Sequence, residues 1–282
     1  MAEGERKGRL FIDGFASLIS GQSMTSQQNQ VYLSVALKFF FVPFIVNASI
    51  AHLSQVNYKI VDAFIYYGMD IYERPFFYKD VFDLAFKLIF AVIFTIDVLP
   101  FLFGHLIDSD KVDNKIKSVE YTVAGWFFCL ICYPPFNTAF GSFLPSVIPE
   151  TIQPFKELPN LHYVLTGVAA VLLALYASAS VSLGFKGSNL TSRGVVSSGL
   201  YGVIRHPAYI CKNAAWWVFS LSWAYQQHEA HQPYLFNLLC FTVWSWIYYT
   251  RAITEERHMS ESDPEYQSYC SMVTYRFIPK II

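Results

Sequence analysis

The sequence predicts an all-α, polytopic integral membrane helical bundle with about six transmembrane helices. Three observations lead there. Only 15% of the 282 residues are charged, against about 25% in soluble domains. Aromatic residues make up 18%, more than a soluble core of this length needs. Mean hydropathy is +0.33, and it is concentrated in six apolar runs of bilayer-crossing length, about 20 residues each.

In chain order, the first predicted span covers residues 31–53, "VYLSVALKFFFVPFIVNASIAHL", and the second 82–107. The third covers 121–148 and is interrupted by Pro134 and Pro135. Proline lacks an amide donor, so this break predicts a kink, a re-entrant turn or a short hairpin. The fourth covers 161–185, a shorter fifth 208–225, and the sixth 234–253. The aromatic, partly charged segment 58–72 reads as interfacial. The first thirty residues are mostly polar and hold Arg6, Lys7 and Arg9, so no cleavable signal peptide is expected.

Six spans place both termini on one side. The loops on that side carry most of the Lys and Arg, from Arg6 and Lys111 through Lys186 to Lys280. The other side holds Lys59, Arg74, Lys79 and Lys156. Positive loops stay inside, so both termini are expected in the cytoplasm. The Asn189-Leu190-Thr191 sequon then falls on the cytosolic side and should stay unmodified.

The chain divides into two parts of different character. Residues 1–160 are lipid-like spans without an assignable role, and residues 161–282 gather charge at the span ends. The stretch 185–207 is rich in Gly and Ser and reads as a loop. "SDPEY" predicts a helix start at Asp263 with Pro264 in the first position.

Other chemistries are less well supported. A net charge of −1 gives no bulk case for nucleic acid. Cys129 and Cys132 form a CxxC inside an apolar run with no second ligand pair, and read as buried hydrophobes. His228 and His231 flank Glu229 in a short loop and read as solvated, so no metal is expected.

The fifth and sixth spans form a hairpin, so the residues before the fifth and those after the sixth emerge together. Arg205, His206, Pro207 and Tyr209 meet Arg251, Glu255, Glu256 and Arg257 on one face. Pro207 suits a first helical turn, where its missing N–H costs nothing. The free amides of that turn can face an anion. Each half alone also reads as an ordinary span end, with cations snorkelling to head groups and glutamates in water.

These residues also carry a resemblance. "GVVSSGLYGVIRHPAY", joined after a gap by "RAITEERHMSESDPEYQSYCSMVTYRFIP", resembles the C-terminal signature of the isoprenylcysteine carboxyl methyltransferase and phospholipid methyltransferase superfamily. The matching positions are Gly199, Tyr201, Arg205, His206, Pro207, Tyr209, Arg251, Glu255, Glu256, Tyr266, Tyr269, Arg276, Ile278 and Pro279. They cover about the last third of the chain. The resemblance implies an S-adenosylmethionine-dependent methyltransferase with a cytosolic cofactor pocket. Its lipophilic acceptor, entering from the bilayer lipids, would be a prenylcysteine carboxylate, a phospholipid amine, or a small lipid or thiol.

On that reading Arg205, Arg251 and Glu256 are candidate catalytic residues. Gly199, Tyr201, His206, Pro207, Tyr209, Glu255 and Glu256 are candidates for holding the cofactor. Arg205 or His206 can pair with its carboxylate, and Glu255 or Glu256 with its ammonium or ribose. Tyr201 and Tyr209 offer rings to the adenine or the sulfonium. Relatives often carry Gly where this chain has Cys211, which precedes Lys212 and Asn213. Lys212 either snorkels or, with Asn213 and Trp216, lines the acceptor pocket. Two other classes stay open: a membrane sterol-type reductase using NADPH, whose relatives are longer, and a non-enzymatic membrane protein that keeps the hairpin.

Overall fold

The computed structural model describes residues 3–68, 78–144, 152–158, 160–230 and 234–280. Arg74, the 69–72 end of the aromatic segment, the 145–148 end of the third predicted span and His231 lie outside the described residues. Within them the chain is helical, apart from one antiparallel pair of two-residue strands, β1 (Ser118–Val119) and β2 (Thr191–Ser192). The helices are α1 (Glu3–Ile19), α2 (Ser26–Gly68), α3 (Tyr78–Leu106), α4 (Val123–Leu130), α5 (Phe136–Gly141), α6 (Leu161–Leu183), α7 (Pro207–Glu229), α8 (Leu235–Ser262) and α9 (Glu265–Met272).

Three segments are long and apolar enough to cross a membrane: Ser26–Ile65, Phe82–Leu106 and Leu161–Lys186. Their outward faces are apolar, with Phe39 84% and Val171 60% exposed, as suits a surface whose solvent is lipid. The first predicted span is only part of α2, which has 43 residues and so measures about 65 Å. Residues 58–68 of the predicted interfacial segment continue this helix.

The third predicted span does not form as one helix. The chain breaks at Pro134-Pro135 into α4 of 8 residues and α5 of 6. Each is too short for a hydrocarbon layer of about 30 Å. Thr122 starts α4 by accepting the amide of Gly125 at 3.1 Å, a side-chain cap for a donor the helix cannot satisfy.

The bundle packs as a series, with α2 against α3, α3 against α6, α6 against α7, and α7 against α8. Small residues sit at the tight junctions. Ala169, Ala179 and Ala215 are fully buried, as are Leu173 and Phe219. Without a hydrophobic drive in lipid, such close approach supplies the packing attraction. A second core joins α2, α4 and the strands through Leu37, Phe41, Cys129 and Val119.

The loop after α6 is pinned by the end of α3. A Cβ on Gly104 would overlap the Gly187 carbonyl oxygen, so α3 passes this loop backbone to backbone. Arg193 is buried there and donates to the carbonyls of Ile107 (3.2 Å) and Asn114 (2.6 Å), to Asn114 Oδ1 (2.8 Å) and to Ser188 Oγ (2.7 Å). Burial lowers its pKa to about 10, with Asp108 acting against the shift, so it stays a cation at neutral pH. At the C-terminus, Asp263 accepts the Glu265 amide (3.2 Å) and Lys117 Nζ (2.9 Å). Helix α9 itself begins at Glu265, one residue later than the sequence suggests.

Candidate functional site

Helix α7 starts where the sequence places a helix start, with His206 as the residue before the first turn and Pro207 at the first position. Helix α8 runs antiparallel to it and delivers Arg251, Glu255 and Glu256 to the same end. The tail after α9 folds back across that end, because the amides of Arg205 and His206 donate to the carbonyls of Tyr275 and Arg276, both at 3.0 Å. The two halves of the sequence constellation therefore meet, except for Arg257, which turns away to donate to Thr122 Oγ1 at 2.5 Å.

Glu256 is the hub. Its Oε1 accepts Arg205 Nε at 2.8 Å and lies 3.1 Å from His206 Nε2. Its Oε2 accepts Arg276 Nε at 3.0 Å and Nη2 at 2.7 Å. Burial works against the charge, but these hydrogen bonds outweigh it and hold the carboxylate well below the usual glutamate range. Arg205 also donates to the carbonyls of Val273 and Thr274, both at 3.1 Å. Arg205 and Glu256 are thus occupied with each other and with the tail.

Glu255 differs. Its Oε1 accepts the Tyr209 hydroxyl at 2.5 Å and Arg251 Nε at 3.0 Å, and Oε2 is left without a partner among the described residues. Arg251 is buried, with its guanidinium 5.2 Å from the Tyr133 ring centre and 5.3 Å from that of Tyr209. Its Nη2 donates to Asn189 Oδ1 at 2.8 Å. His206 and Tyr209 stack with ring centres 5.5 Å apart and planes 5° from parallel.

These groups line a cavity of about 840 Å³. Tyr201, Arg205, His206, Tyr209, Glu255 and Glu256 stand at its polar end, and Lys212, Asn213 and Trp216 continue the wall along α7. Two sequence candidates are not on the wall. Pro207 is buried in the first turn of α7. Gly199 has φ +60°, a conformation that favours glycine, and a Cβ there would overlap Ser182 Oγ. Both shape the backbone that presents the others. Asn213 donates to the Tyr209 carbonyl at 2.9 Å.

Segments outside the hairpin supply much of the rest of the wall. Asp97 of α3 accepts the Tyr176 hydroxyl at 2.5 Å and the Ser180 hydroxyl. Tyr133 and Asn189 support Arg251, and Phe44, Phe94 and Phe101 make the wall apolar. Sequence reasoning missed Asp97. An isolated acid inside an apolar run was the available signal. Buried Asn189 spends its amide oxygen on Arg251 and Tyr133. Cys129 is buried in the second core and Cys132 donates to the Phe128 carbonyl at 3.4 Å. His228 packs edge-on to Tyr234.

The fold and site define a class: a helical membrane protein with a largely apolar cavity that has a polar end, walled in part by α9. Residues 147–273 match the profile of a family described as protein of unknown function (DUF1295), a stretch that takes in α6 through α9. No curated protein and no solved structure matches the chain significantly.

Proposed function

We propose that the chain is an integral membrane methyltransferase that uses S-adenosylmethionine on a lipophilic acceptor. One observation carries the reading. A single cavity joins a polar end, built from the Arg–His start of α7 and the double-glutamate region of α8, to an apolar stretch walled by Phe44 and Phe94. A charged donor and a greasy acceptor need such a shared space.

The residues present fit the donor. Glu255 Oε2 suits its ammonium or ribose hydroxyls, and the cationic Arg251 suits its carboxylate. The stacked rings of His206 and Tyr209 suit its adenine or its sulfonium. When bound, the cofactor supplies an electrophilic methyl group. The protein's contribution is to hold donor and acceptor in line and to exclude water. Arg205, Glu256 and Arg276 act as positioning residues that fasten the tail over the polar end.

In this reading the chain crosses the membrane six times with both termini in the cytosol. The third crossing is the broken α4–α5 segment. Irregular backbone is tolerated at that depth where it lines a cavity, and Cys132, Tyr133 and Asn137 do so.

One observation favours the NADPH-dependent reductase instead. The Tyr176–Asp97 pair faces the cavity and has the form of a proton donor, which hydride transfer to a carbon–carbon double bond would use. Binding of labelled S-adenosylmethionine and of NADPH to detergent-purified protein separates the readings. Saturable S-adenosylmethionine binding that Glu255→Gln and His206→Ala remove is expected. NADPH binding in its place would establish the reductase, and binding of neither would leave a non-enzymatic protein.

A further inference from the structure

We propose that Lys212 makes the deep end of the cavity a receptor for an anionic head group, so that the lipophile it takes is acidic and not an amine. That this lipophile is also a methyl acceptor rests on the methyltransferase reading; the binding preference does not.

Helix α7 carries His206, Tyr209, Lys212 and Trp216 at spacings of three, three and four, which places them on one face. Lys212 therefore sits about 9 Å further along the axis than His206. Side chains on a helix lean toward its N-terminus, which here is the polar end of the cavity. The Trp216 indole, one turn on, leans the same way and so comes back to meet Lys212. Lys212 Nζ is 4.6 Å from the Trp216 ring centre, and 5.2 Å and 5.9 Å from the rings of Tyr176 and Tyr248. It ends among rings that line the cavity and does not snorkel.

Among the described residues no oxygen lies within hydrogen-bond distance of this nitrogen. Asp97 is close enough to act on it through its charge, yet the two form no direct ion pair. Asp97 spends its oxygens on Tyr176 and Ser180. Tyr176 thus gives its hydroxyl to the carboxylate and its ring face to the ammonium, which keeps both groups where they are. Ring faces offset part of the cost of withdrawing an ammonium from water. They accept none of its N–H donors in the way an oxygen does, so those donors are left for whatever fills the cavity.

The surroundings set the class of ligand. Ile45, Phe94, Val98 and Phe101 wall this end with hydrocarbon and suit an alkyl or isoprenoid chain. The three rings that would welcome a cationic head group already hold the protein's own ammonium, so a second cation meets like charge. A carboxylate, thiolate or phosphate meets three waiting donors. Of the acceptor classes the resemblance implies, this favours the carboxylate and the thiol; a phospholipid would have to present its phosphate to Lys212, which leaves its amine without a place among the three rings.

The test uses full-length protein in detergent without cofactor, with oleate, oleyl alcohol and oleylamine competing for one fluorescent fatty-acid probe. Oleate should bind at least about tenfold tighter than the alcohol, a difference of one good charged contact, and oleylamine should bind weakest. Lys212→Met should erase the preference for oleate, and Lys212→Arg should keep it. Equal binding of acid and alcohol by the wild type would overturn the proposal without any variant, and so would an acid preference that survives in Lys212→Met. S-adenosylmethionine binding, measured on the same wild-type sample, tests methyl transfer separately: its absence would end that reading and leave the acid preference standing.

Discussion

Adjacent glutamates at the end of α8 do different work. Glu256 accepts three hydrogen bonds from Arg205 and Arg276, lies 3.1 Å from His206 Nε2, and ties α7, α8 and the tail together. Glu256→Gln should therefore lower stability by about 3 kcal/mol, the cost of stranding buried partners, read as a drop in the unfolding midpoint in detergent. The pH dependence has a definite sign. A carboxylate whose folded pKa is depressed contributes stability above its unfolded pKa, about 4.3. The contribution is lost as pH falls below that value toward the folded one. Protease resistance of the tail should accordingly hold from neutral pH to about 5 and fail in stronger acid. Glu255 keeps one oxygen for a ligand, and the Tyr209 hydroxyl orients it at 2.5 Å. Tyr209→Phe should weaken S-adenosylmethionine binding by about tenfold with little change in the unfolding midpoint.

Elements are placed by close backbone approaches and by proline. Gly104 lets the end of α3 pass the loop that carries Asn189 and Arg193, with the Gly187 carbonyl where a Cβ would stand. Backbone cannot yield as a flexible side chain does. Gly104→Ala should thus cost about 3 kcal/mol or more, visible as reduced yield of folded protein. The break at Pro134-Pro135 results from proline chemistry and could be read from the sequence. Its consequence could not. Of the kink, re-entrant turn or short hairpin that the break allows, the chain forms two short helices, and they put the Tyr133 ring centre 5.2 Å from the Arg251 guanidinium. Hydropathy averaged over a window does not register the loss of helix hydrogen bonds at a proline pair.

At the scale of the whole molecule, the tail does not line the cavity but braces Arg205, His206 and Glu256, which do. Removing residues 273–282 deletes Arg276 and the carbonyls that receive Arg205 and His206. Such a truncation should abolish S-adenosylmethionine binding while the membrane helices stay folded, as judged by circular dichroism and elution volume. The hairpin motif was legible because its residues stand close in sequence to helix ends whose directions hydropathy reveals. The opposite wall was not legible. Asp97, Tyr133 and Tyr176 come from separate segments and reach the cavity only through packing.

By itself the sequence determined a helical, apolar chain, because hydropathy and composition act through local transfer energies that need no knowledge of neighbours. It also determined that the start of α7 and the end of α8 share a face, since a short loop leaves a hairpin no other arrangement. Tertiary structure decided which glutamate is spent on the tail and which is open, and that Lys212 ends among three rings. Those outcomes depend on distances between groups far apart in the chain, and electrostatics and hydrogen bonding are set by such distances and not by order along the sequence.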